Sequence, residues 1–290
     1  MKHTPPLTVV LPSHNDGKVV PHTVRRILSV CPRGTEIIVV VDGSDDGSAE
    51  IIRALCRRHA HVRAIYHSRR KGKGVSVRDG MLAAKGALVA FTDADMVFHP
   101  KYLRMMFTIL NTDRSLDMVI GHRTVYETAW FRTMLHDVFK WMNTLLFDFP
   151  FWDTQVGLKM FRVPVAHKLF SGMRTREYAF DVEILSAACD KSLRVHELPV
   201  KQDYGDYSSM SFKSMVIMLI ETLRIYQMRM QRRMGVHSAH KRWSWLSLRH
   251  IVLYPLSWML LAITLMLYEI VTCNVDITSH YSVPKIASLS

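Results

Sequence analysis

Two aspartates one residue apart, Asp93 and Asp95, are the residues of this chain that best suit a metal ion. They directly follow a hydrophobic run over residues 87–91, and Pro100 closes the loop behind them. Side chains alternate along a strand, so both carboxylates would share one face and offer oxygen ligands to a divalent cation. The pattern predicts a metal site at a strand's end, with positions left for a substrate diphosphate. A solvated, Asp-rich turn is the alternative.

The elements that would position this pair alternate between apolar runs and segments of helical spacing. Predicted strands cover residues 7–11, 36–41, 62–66 and 87–91, and predicted helices cover residues 20–30, 48–55 and 77–84. Buried strands that alternate with helices favour a mainly parallel sheet in an α/β fold. Such sheets bind ligands outside the carboxyl ends of their strands. The polar clusters of the N-terminal half all follow predicted strands.

Two of these polar clusters suit a nucleotide. Asp42 ends the second strand, where a carboxylate can accept hydrogen bonds from a nucleobase or ribose, and residues 44–48 supply turn residues and a helix N-cap. Lys71, Lys73 and Arg78 surround two glycines, which allows the backbone to approach phosphate. A plain turn and a solvated basic loop are the respective alternatives.

Eight motifs in one order give the chain a family resemblance. They are Val10-Leu11-Pro12-Ser13-His14-Asn15-Asp16, Val41-Asp42-Gly43-Ser44-Asp45-Asp46-Gly47-Ser48, the stretch from Lys71 to Met81, Asp93-Ala94-Asp95, Gly121-His122-Arg123, the stretch from Asp153 to Phe161, Phe180-Asp181-Val182-Glu183 and Glu197-Leu198-Pro199-Val200. Together they resemble family 2 glycosyltransferases of the GT-A fold. This fold is the Rossmann-like fold of nucleotide-diphospho-sugar transferases. The resemblance is closest to polyprenyl-phosphate sugar synthases, related to dolichyl-phosphate mannose and dolichyl-phosphate glucose synthases.

This resemblance implies a nucleotide-sugar donor site and a divalent metal. The substrate-binding residues would be Pro12, His14, Asp16, Asp42, Lys73, Ala94 and Asp181. Asp93 and Asp95 would hold Mg2+ or Mn2+ on the diphosphate. The catalytic residues would be Asp93, Asp95, Arg123, Asp153 and Gln155. Arg123 would contact phosphate, residues 153–155 would border the sugar and acceptor, and Asp181 and Glu183 would have either catalytic or scaffold roles.

The implied acceptor, a dolichyl or undecaprenyl phosphate, determines what catalysis requires. Its phosphate is already ionised near neutral pH, so its oxygen needs no strong general base. Alignment and charge stabilisation of the departing nucleoside diphosphate become the main tasks, and in-line attack inverts the anomeric carbon. No dedicated base is therefore assigned, and Asp153 is the nearest candidate for one. The stretch from Asp153 to Lys159 most resembles the dolichyl-phosphate glucose synthases, which implies UDP-glucose as donor, with GDP-mannose next.

Departures from the family pattern keep two other functions open. Val41 replaces the first Asp of a pair, Val97 replaces a frequent Gln, and no Ser-Lys pair follows residues 197–200. Lys213 is a candidate substitute for the missing lysine and does not match the motif. These changes suit a membrane-anchored protein that binds nucleotide sugar without turnover. A polysaccharide synthase is the other alternative, although the chain has no Gln-x-x-Arg-Trp motif and too few predicted spans for a channel.

The C-terminal third differs in composition and predicts a membrane attachment. Residues 212–234 mix apolar and basic side chains as an amphipathic interfacial helix does, although a core helix has the same pattern. Residues 251–268 form about 18 positions without a charge, close to the length of one transmembrane helix. Basic residues precede this segment, which places the catalytic domain in the cytoplasm. A monotopic hairpin at Pro255 is the alternative to a single-pass span.

The predicted domain organisation follows from these segments. A GT-A domain covers residues 1–207, the interfacial helix region 208–242, the transmembrane segment 243–273 and a short tail 274–290. The N-terminus has no apolar core typical of a signal peptide. The sequence gives no indication of oligomeric state.

Composition agrees with a membrane-attached enzyme of phosphorylated substrates. The chain has 290 residues, 49% hydrophobic residues, a formal net charge of +13 and a pI of about 9.7. This charge suits anionic lipid and nucleotide diphosphate. The basic residues are dispersed and form no nucleic-acid motif, so we expect no nucleic-acid partner. Cys31, Cys56, Cys189 and Cys273 are too widely spaced for a zinc site and are typical of buried thiols in a reducing compartment.

Overall fold

The computed structural model describes residues 4–124, 130–202 and 212–233. The strands are β1 Leu7–Ser13, β2 Glu36–Asp42, β3 Val62–His67, β4 Leu88–Thr92, β5 Met118–Arg123, β6 Leu158–Arg162 and β7 Val195–Val200. The helices are α1 Val20–Val30, α2 Ser48–Arg58, α3 Lys73–Ala83, α4 Lys101–Thr112, α5 Trp130–Phe147, α6 Val163–Phe170, α7 Phe180–Asp190 and α8 Phe212–Arg233.

The described strands form one seven-stranded sheet in the order β3-β2-β1-β4-β6-β5-β7. The first four in this order are mutually parallel, β5 is parallel to β7, and only β6 runs against its neighbours β4 and β5. The prediction of a mainly parallel α/β sheet is therefore confirmed. The chain builds outward from β1 to β3 and then returns to the other side of β1, which opens a crevice between the ends of β1 and β4.

The central strands form because they are apolar, often β-branched and covered on both faces. Every residue of β1, β2 and β4 is buried. Helix α3 lies close to this sheet through Gly80, where an added Cβ would come within 3.1 Å of the Val40 side chain. A cluster of aromatic rings packs on one face, and it consists of Phe91, Phe161, Phe170 and Phe180. This packing holds α6 and α7 against β4 and β6.

The predicted start of α3 at residue 77 is wrong. The helix begins at Lys73, after Gly72, whose φ of 109° favours glycine. Backbone N–H groups of Gly74 and Val75, in the first turn, donate to the carbonyls of Glu177 and Arg176 at 3.1 and 3.2 Å. A loop distant in sequence therefore satisfies the helix start, and a reading of local periodicity missed it.

Helix α8 packs on the same domain rather than standing apart from it. Its inner face, Met218, Thr222, Ile225 and Arg229, is buried. The Arg229 guanidinium binds the Asp190 carboxylate at 2.9 Å and donates to a carbonyl at the end of α5 at 2.7 Å. This inner face is that of a core helix, the alternative left open by the sequence.

The outer face of α8 does expose apolar side chains, Val216 and Ile220. Within the described ranges, no helix combines the length and the apolar character that crossing a bilayer requires. The predicted span at residues 251–268 lies outside those ranges. The division of the chain at residues 207, 242 and 273 stays a prediction.

Candidate active site

A cavity of about 270 Å³ lies at the carboxyl ends of β1, β2 and β4, in the crevice where the strand order reverses. Its lining residues are Pro12, Ser13, His14, Asp16, Asp42, Arg70, Lys73, Ser76, Asp93, Ala94, Asp95 and Tyr178. Eight of them are predicted site residues: Pro12, His14, Asp16, Asp42, Lys73, Asp93, Ala94 and Asp95. Four motifs distant in sequence thus meet in one pocket, whereas Lys71 and Arg78 are not among its lining residues.

The loop after β1 is held in place by its own side chains. The backbone N–H of His14 donates to Asp16 Oδ2 at 2.9 Å, and His14 Nδ1 lies 2.8 Å from the carbonyl oxygen of Asp42. Asn15 has a positive φ of 62°, which turns the chain between them. Burial raises the pKa of the Asp16 carboxyl, although the His14 hydrogen bond and charge oppose this shift. The pocket thus has one wall fixed before any ligand binds.

The turn after β2 supplies the N-cap of α2 within the predicted residues 44–48. This N-cap is Gly47, which has a left-handed backbone and makes no side-chain cap. Asp46 accepts the Ser48 N–H at 3.0 Å, and Ser48 Oγ accepts the Gly17 N–H at 2.7 Å. Ser48 therefore joins the two loops.

Asp42 is buried, and its carboxylate holds the loop that leads into α3. Oδ1 lies 2.7 Å from His67 Nδ1 and accepts the Lys71 N–H at 2.8 Å, while Oδ2 accepts the Gly72 N–H at 2.8 Å. Burial raises the pKa of Asp42, but these hydrogen bonds outweigh burial and hold the pKa below its usual value. His67 Nε2 in turn lies 3.1 Å from Asp79 Oδ2. Asp42 thus stays ionised while it fixes the pocket's phosphate side.

Asp93 and Asp95 meet through a turn, not through strand alternation as predicted. Strand β4 ends at Thr92, so both carboxylates lie in the following loop. The Met96 N–H donates to the Asp93 carbonyl at 3.1 Å, and Thr23 of α1 donates to the Ala94 carbonyl at 2.6 Å. The tight turn brings both side chains to the cavity.

A cationic side chain, Lys73, faces the two carboxylates Asp93 and Asp95. Lys73 Nζ lies 2.5 Å from Asp93 Oδ1. Burial lowers the pKa of Lys73, but the charges of Asp93, Asp181 and Asp95 outweigh burial and raise it. Partial withdrawal from water and the neighbouring Asp93 charge raise the pKa of Asp95 to about 6, although its side chain reaches solvent. A second cation beside Asp95 would relieve this repulsion.

The number of acidic side chains decides whether the pair could hold such a cation. Gly157 packs against the Asp93 carboxylate, where an added Cβ would come within 2.9 Å of Asp93 Cγ. Within residues 4–124, 130–202 and 212–233, no group of three or more His, Cys, Asp or Glu side chains is placed to hold a metal ion. Two carboxylates are nevertheless enough for Mg2+, which commonly takes one or two and completes its shell with phosphate and water.

Arg123, Asp153 and Gln155 form a second group outside the cavity lining. Arg123 Nε lies 2.7 Å from Asp153 Oδ2, and Arg123 Nη2 lies 3.3 Å from Oδ1, in a bidentate pair. Asp153 is buried and also accepts the Gln155 N–H at 3.0 Å. Gln155 Nε2 contacts the sulfur of Met218 on α8 at 3.3 Å. A carboxylate engaged on both oxygens is a poor base, so this geometry favours a positioning role for Asp153.

Asp181 is paired inside the protein and does not line the cavity. Lys159, on β6, is completely buried, and its Nζ lies 2.6 Å from Asp181 Oδ1. The same ammonium donates to the carbonyls of Thr154 and Val156 at 3.2 and 2.7 Å. This network fixes the loop that carries Asp153 and Gly157. Asp181 therefore supports the site from beneath, the scaffold role that the sequence left open.

Two glutamates of α7 and α8 hold the loop that completes the pocket. Glu183 accepts the backbone N–H groups of Arg174 and Thr175 at 2.7 to 3.0 Å. The Glu221 carboxylate accepts three more, from Arg176, Glu177 and Ala179, at 3.0 to 3.2 Å. Tyr178, between these anchored residues, lines the cavity. The helix predicted to rest on lipid thus also fixes a wall of the pocket.

Replacing Glu221 with alanine should loosen this wall. Three backbone donors would lose their acceptor, so we expect the free energy of unfolding to fall by about 1–3 kcal/mol. The dissociation constant for UDP should rise severalfold, as Tyr178 loses its position. Urea unfolding and calorimetric titration measure the two effects. Replacing the exposed Gln227 on the same helix with alanine is the matched control, and equal UDP affinity in both variants would contradict the role of Glu221.

Four cavity residues were missed by sequence reasoning: Ser13, Arg70, Ser76 and Tyr178. Ser13 lies within the predicted nucleoside motif, and Arg70 directly precedes the predicted basic loop, so both signals were present. Ser76 faces the pocket only because α3 begins earlier than predicted. Tyr178 reaches the cavity through a loop held by α7 and α8, which no local pattern indicates.

Comparisons with known proteins agree with this architecture. Residues 8–176 match the protein family Glycosyl transferase family 2. A dolichyl-phosphate beta-glucosyltransferase of Trichomonas vaginalis is 31% identical over 75% of this chain and 70% of its own length. A dolichyl-phosphate beta-glucosyltransferase of Drosophila melanogaster is 30% identical over 71% of this chain and 69% of its own.

Solved structures share the fold at lower identity. Glucosyl-3-phosphoglycerate synthase from Mycobacterium tuberculosis in complex with UDP superposes with a TM-score of 0.63 at 16% identity, over 77% of this chain and 79% of that one. The same enzyme with Mn2+, UDP-glucose and phosphoglyceric acid gives a TM-score of 0.62. With the matched motifs meeting in one crevice of a GT-A-like sheet, the chain belongs to glycosyltransferase family 2 and is a glycosyltransferase.

Proposed function

We propose that this enzyme transfers glucose from UDP-glucose to a polyprenyl phosphate such as dolichyl phosphate, with inversion at the anomeric carbon. The observation that carries the proposal is the single cavity that joins the β1 loop, Asp42 and the carboxylates Asp93 and Asp95. The relatives at 31% and 30% identity, which are dolichyl-phosphate beta-glucosyltransferases, support the sugar and the acceptor.

The donor enters the cavity with its nucleoside toward the β1 and β2 loops. Pro12, His14 and Asp16 line that end, where backbone and side-chain hydrogen bonds already fix the loop. Arg70 and Lys73 supply positive charge for the diphosphate. Charge-assisted hydrogen bonds from such groups are the stronger kind, so the basic side of the cavity favours a nucleoside diphosphate over a neutral nucleoside.

Asp93 and Asp95 are the residues that would hold Mg2+ or Mn2+. The pair fits a divalent ion because both groups are carboxylates and Asp95 is disfavoured as an anion without a neighbouring cation. A divalent ion held there would supply positive charge to stabilise the leaving diphosphate. Lys73 remains beside Asp93 and stabilises the same charge.

The reaction itself needs alignment more than proton transfer. A phosphate oxygen of the lipid forms a bond to C1 of glucose while the bond from C1 to the UDP oxygen breaks, and UDP leaves with the electron pair. The acceptor oxygen carries no proton at neutral pH, so no base is required. Arg123, held by Asp153, and Gln155 border the sugar and acceptor side. Inversion converts the α-linked donor into a β-linked glucosyl lipid.

Binding of the metal should depend on pH through Asp95. The folded, metal-free protein holds a proton on Asp95 below a pKa of about 6, and the metal must displace it. We expect Mn2+-dependent affinity for UDP-glucose, whose diphosphate does not titrate between pH 5 and 8, to be constant above pH 7 and to fall as pH drops through 6. Calorimetric titrations from pH 5 to 8 measure this, and Asp95→Asn, which lacks one of the two metal-holding carboxylates, should bind Mn2+ weakly at every pH. Constant affinity down to pH 5 would contradict the assignment.

The sign for stability of the metal-free protein is opposite to that of most carboxylates. Because the pKa of Asp95 is higher in the folded protein than its unfolded value of 3.8, the folded state binds more protons between these pH values. This contribution to stability is present at low pH and is lost as pH rises through about 6. Saturating metal should abolish it.

A lipid acceptor requires the enzyme at a membrane, with its donor pocket in the cytoplasm. We propose the arrangement predicted from the sequence: a catalytic domain to about residue 207, an interfacial region to 242, a span within 243–273 and a short tail 274–290. A monotopic hairpin at Pro255 is the variant of this arrangement. The exposed outer face of α8, with Val216 and Ile220 followed by Arg224, supports a helix close to lipid.

One assay tests the proposed function. Detergent-solubilised full-length protein is incubated with Mn2+ and short-chain polyprenyl phosphate, and radiolabelled UDP-glucose and GDP-mannose are supplied in parallel. We expect organic-phase label from UDP-glucose. Label from GDP-mannose alone would replace the donor, and label in an insoluble polymer would favour a polysaccharide synthase. Bound nucleotide without transfer from any donor would favour a binding protein without turnover.

A further inference from the structure

Three large apolar side chains near the group of Arg123, Asp153 and Gln155 are exposed to solvent. Trp141 and Leu145, four residues apart on one face of α5, are 65% and 62% exposed, and Trp152 in the following loop is 69% exposed. Lys140 Nζ lies 5.6 Å from the Trp152 ring centroid, which places Trp152 alongside α5. We call Trp141, Leu145 and Trp152 the tryptophan patch. Exposed groups of this size mark an interaction surface.

The patch lies within a short reach of the reaction centre. Trp152 directly precedes Asp153. The backbone N–H of Trp152 donates to Glu197 Oε2 at 3.0 Å, which anchors the patch to β7. Gly157, five residues on, lies against Asp93. Five residues span at most about 18 Å when fully extended, so the backbone of Trp152 lies within that distance of the residues beside the metal pair.

On the proposed function, the acceptor determines what must lie here. The phosphate of a polyprenyl phosphate sits at the bilayer surface, because its chain stays in the hydrocarbon core. The enzyme must therefore rest on lipid within a few nanometres of Asp93. Tryptophan is enriched at the membrane interface, where its ring is buried and its N–H stays hydrated, and lysine beside it attracts anionic headgroups.

We infer that the tryptophan patch inserts into the headgroup region of the bilayer and presents the acceptor phosphate to the site. This surface belongs to the catalytic domain, and its residues come from a different part of the sequence than the predicted span at residues 251–268. The partner is an anionic lipid surface, favoured by Lys140 and by the chain's net charge of +13. The inference rests on the proposed function for its direction, but the contact with lipid can be measured without any turnover.

Fluorescence quenching tests the contact directly. In a full-length variant with Trp130, Trp243, Trp245 and Trp258 replaced by phenylalanine, only Trp141 and Trp152 emit. We expect brominated lipids in phosphatidylcholine–phosphatidylglycerol vesicles to quench roughly half or more of this emission, as for rings buried about 5–10 Å into the interface. Emission that resists brominated lipid and is quenched by aqueous iodide would overturn the inference. Emission that resists both would also overturn it, and would indicate a second protein copy on the patch.

Kinetics supply a second test that does not need the four-phenylalanine variant. We expect Trp141→Gln/Leu145→Gln/Trp152→Gln to raise KM for long-chain polyprenyl phosphate in vesicles on the order of tenfold. KM for UDP-glucose, and turnover of a short water-soluble isoprenyl phosphate, should stay unchanged. Trp141→Phe/Trp152→Phe should retain most of the wild-type KM.

Controls separate this result from a failure of the proposed function. Met105→Gln makes the same kind of change at an exposed apolar residue of α4, which is 43% exposed, and should leave every parameter unchanged. If the triple variant and the wild type have the same KM for the vesicle-borne acceptor, the inference that the tryptophan patch contacts lipid is overturned. If no acceptor is ever glucosylated, the proposed function fails, while bromolipid quenching still decides whether the patch contacts lipid.

Discussion

Replacing Asp93 with asparagine should lower the rate of glucosyl transfer by about a thousandfold, the size expected when a main stabiliser of leaving-group charge is removed. On the proposed function, Asp93 combines two roles in the cavity. It would be one of the two carboxylates that hold the metal, and it lies 2.5 Å from Lys73 Nζ. Asparagine has nearly the same shape but no charge, so the variant loses the metal and leaves Lys73 without its closest counter-ion.

The measurement is initial rate against Mn2+ concentration, with UDP binding determined by calorimetry. UDP should still bind to Asp93→Asn, because His14, Asp42 and Arg70 remain, but its affinity should be lower than for the wild type. Asp113→Asn changes an exposed carboxylate beyond the end of α4 and is the control, with no expected loss of rate. A wild-type rate in Asp93→Asn would remove the metal role from this residue.

Replacing Lys159 with methionine should lower the free energy of unfolding by about 3–5 kcal/mol, the cost of removing one partner of a buried ion pair. Lys159 is completely buried, and Asp181 accepts its ammonium at 2.6 Å. The variant would leave Asp181 buried without that partner and would release two loop carbonyls. Because the freed loop carries Asp153 and Gly157, transfer should fall together with stability.

Denaturant unfolding measures this loss, and its pH dependence identifies the cause. Burial raises the pKa of Asp181 even with its partner present, so without Lys159 the carboxyl should take up a proton on folding. The deficit should therefore shrink as pH falls. Lys159→Met/Asp181→Leu removes both charges and should recover much of the stability. A single variant as stable as wild type at pH 7 would contradict the buried pair.

Much of the fold could be predicted because its central strands have a clear local sequence pattern. The run Ile37-Ile38-Val39-Val40-Val41 is short and entirely β-branched, which favours a buried strand, and it lies in β2. The helix predicted at residues 20–30 has those bounds in the structure. The polar residues after each strand then had to meet, because parallel strands end on one edge. Asp42, Lys73 and Asp93 were predicted at this edge on that ground, whereas Pro12 was assigned by the family resemblance, and all four line one cavity.

The remainder depends on contacts between segments far apart in sequence. Helix α3 starts at Lys73 because the carbonyls of Arg176 and Glu177 accept its first N–H groups. The role of Glu221 cannot be found on α8 alone, since its three donors lie more than 40 residues earlier. Likewise, the aspartate at 181 is conspicuous in the sequence, but its partner Lys159 was hidden within an apolar strand.

The most direct test of the account follows both products of one reaction. Full-length protein in vesicles that contain polyprenyl phosphate is mixed with Mn2+ and labelled UDP-glucose, and UDP release and glucosyl lipid are counted together. We expect one UDP released per glucosyl lipid, and no lipid label when a prenol without phosphate replaces the acceptor. If UDP-glucose binds but is only hydrolysed by water, or if no lipid phosphate becomes labelled, the central claim is contradicted.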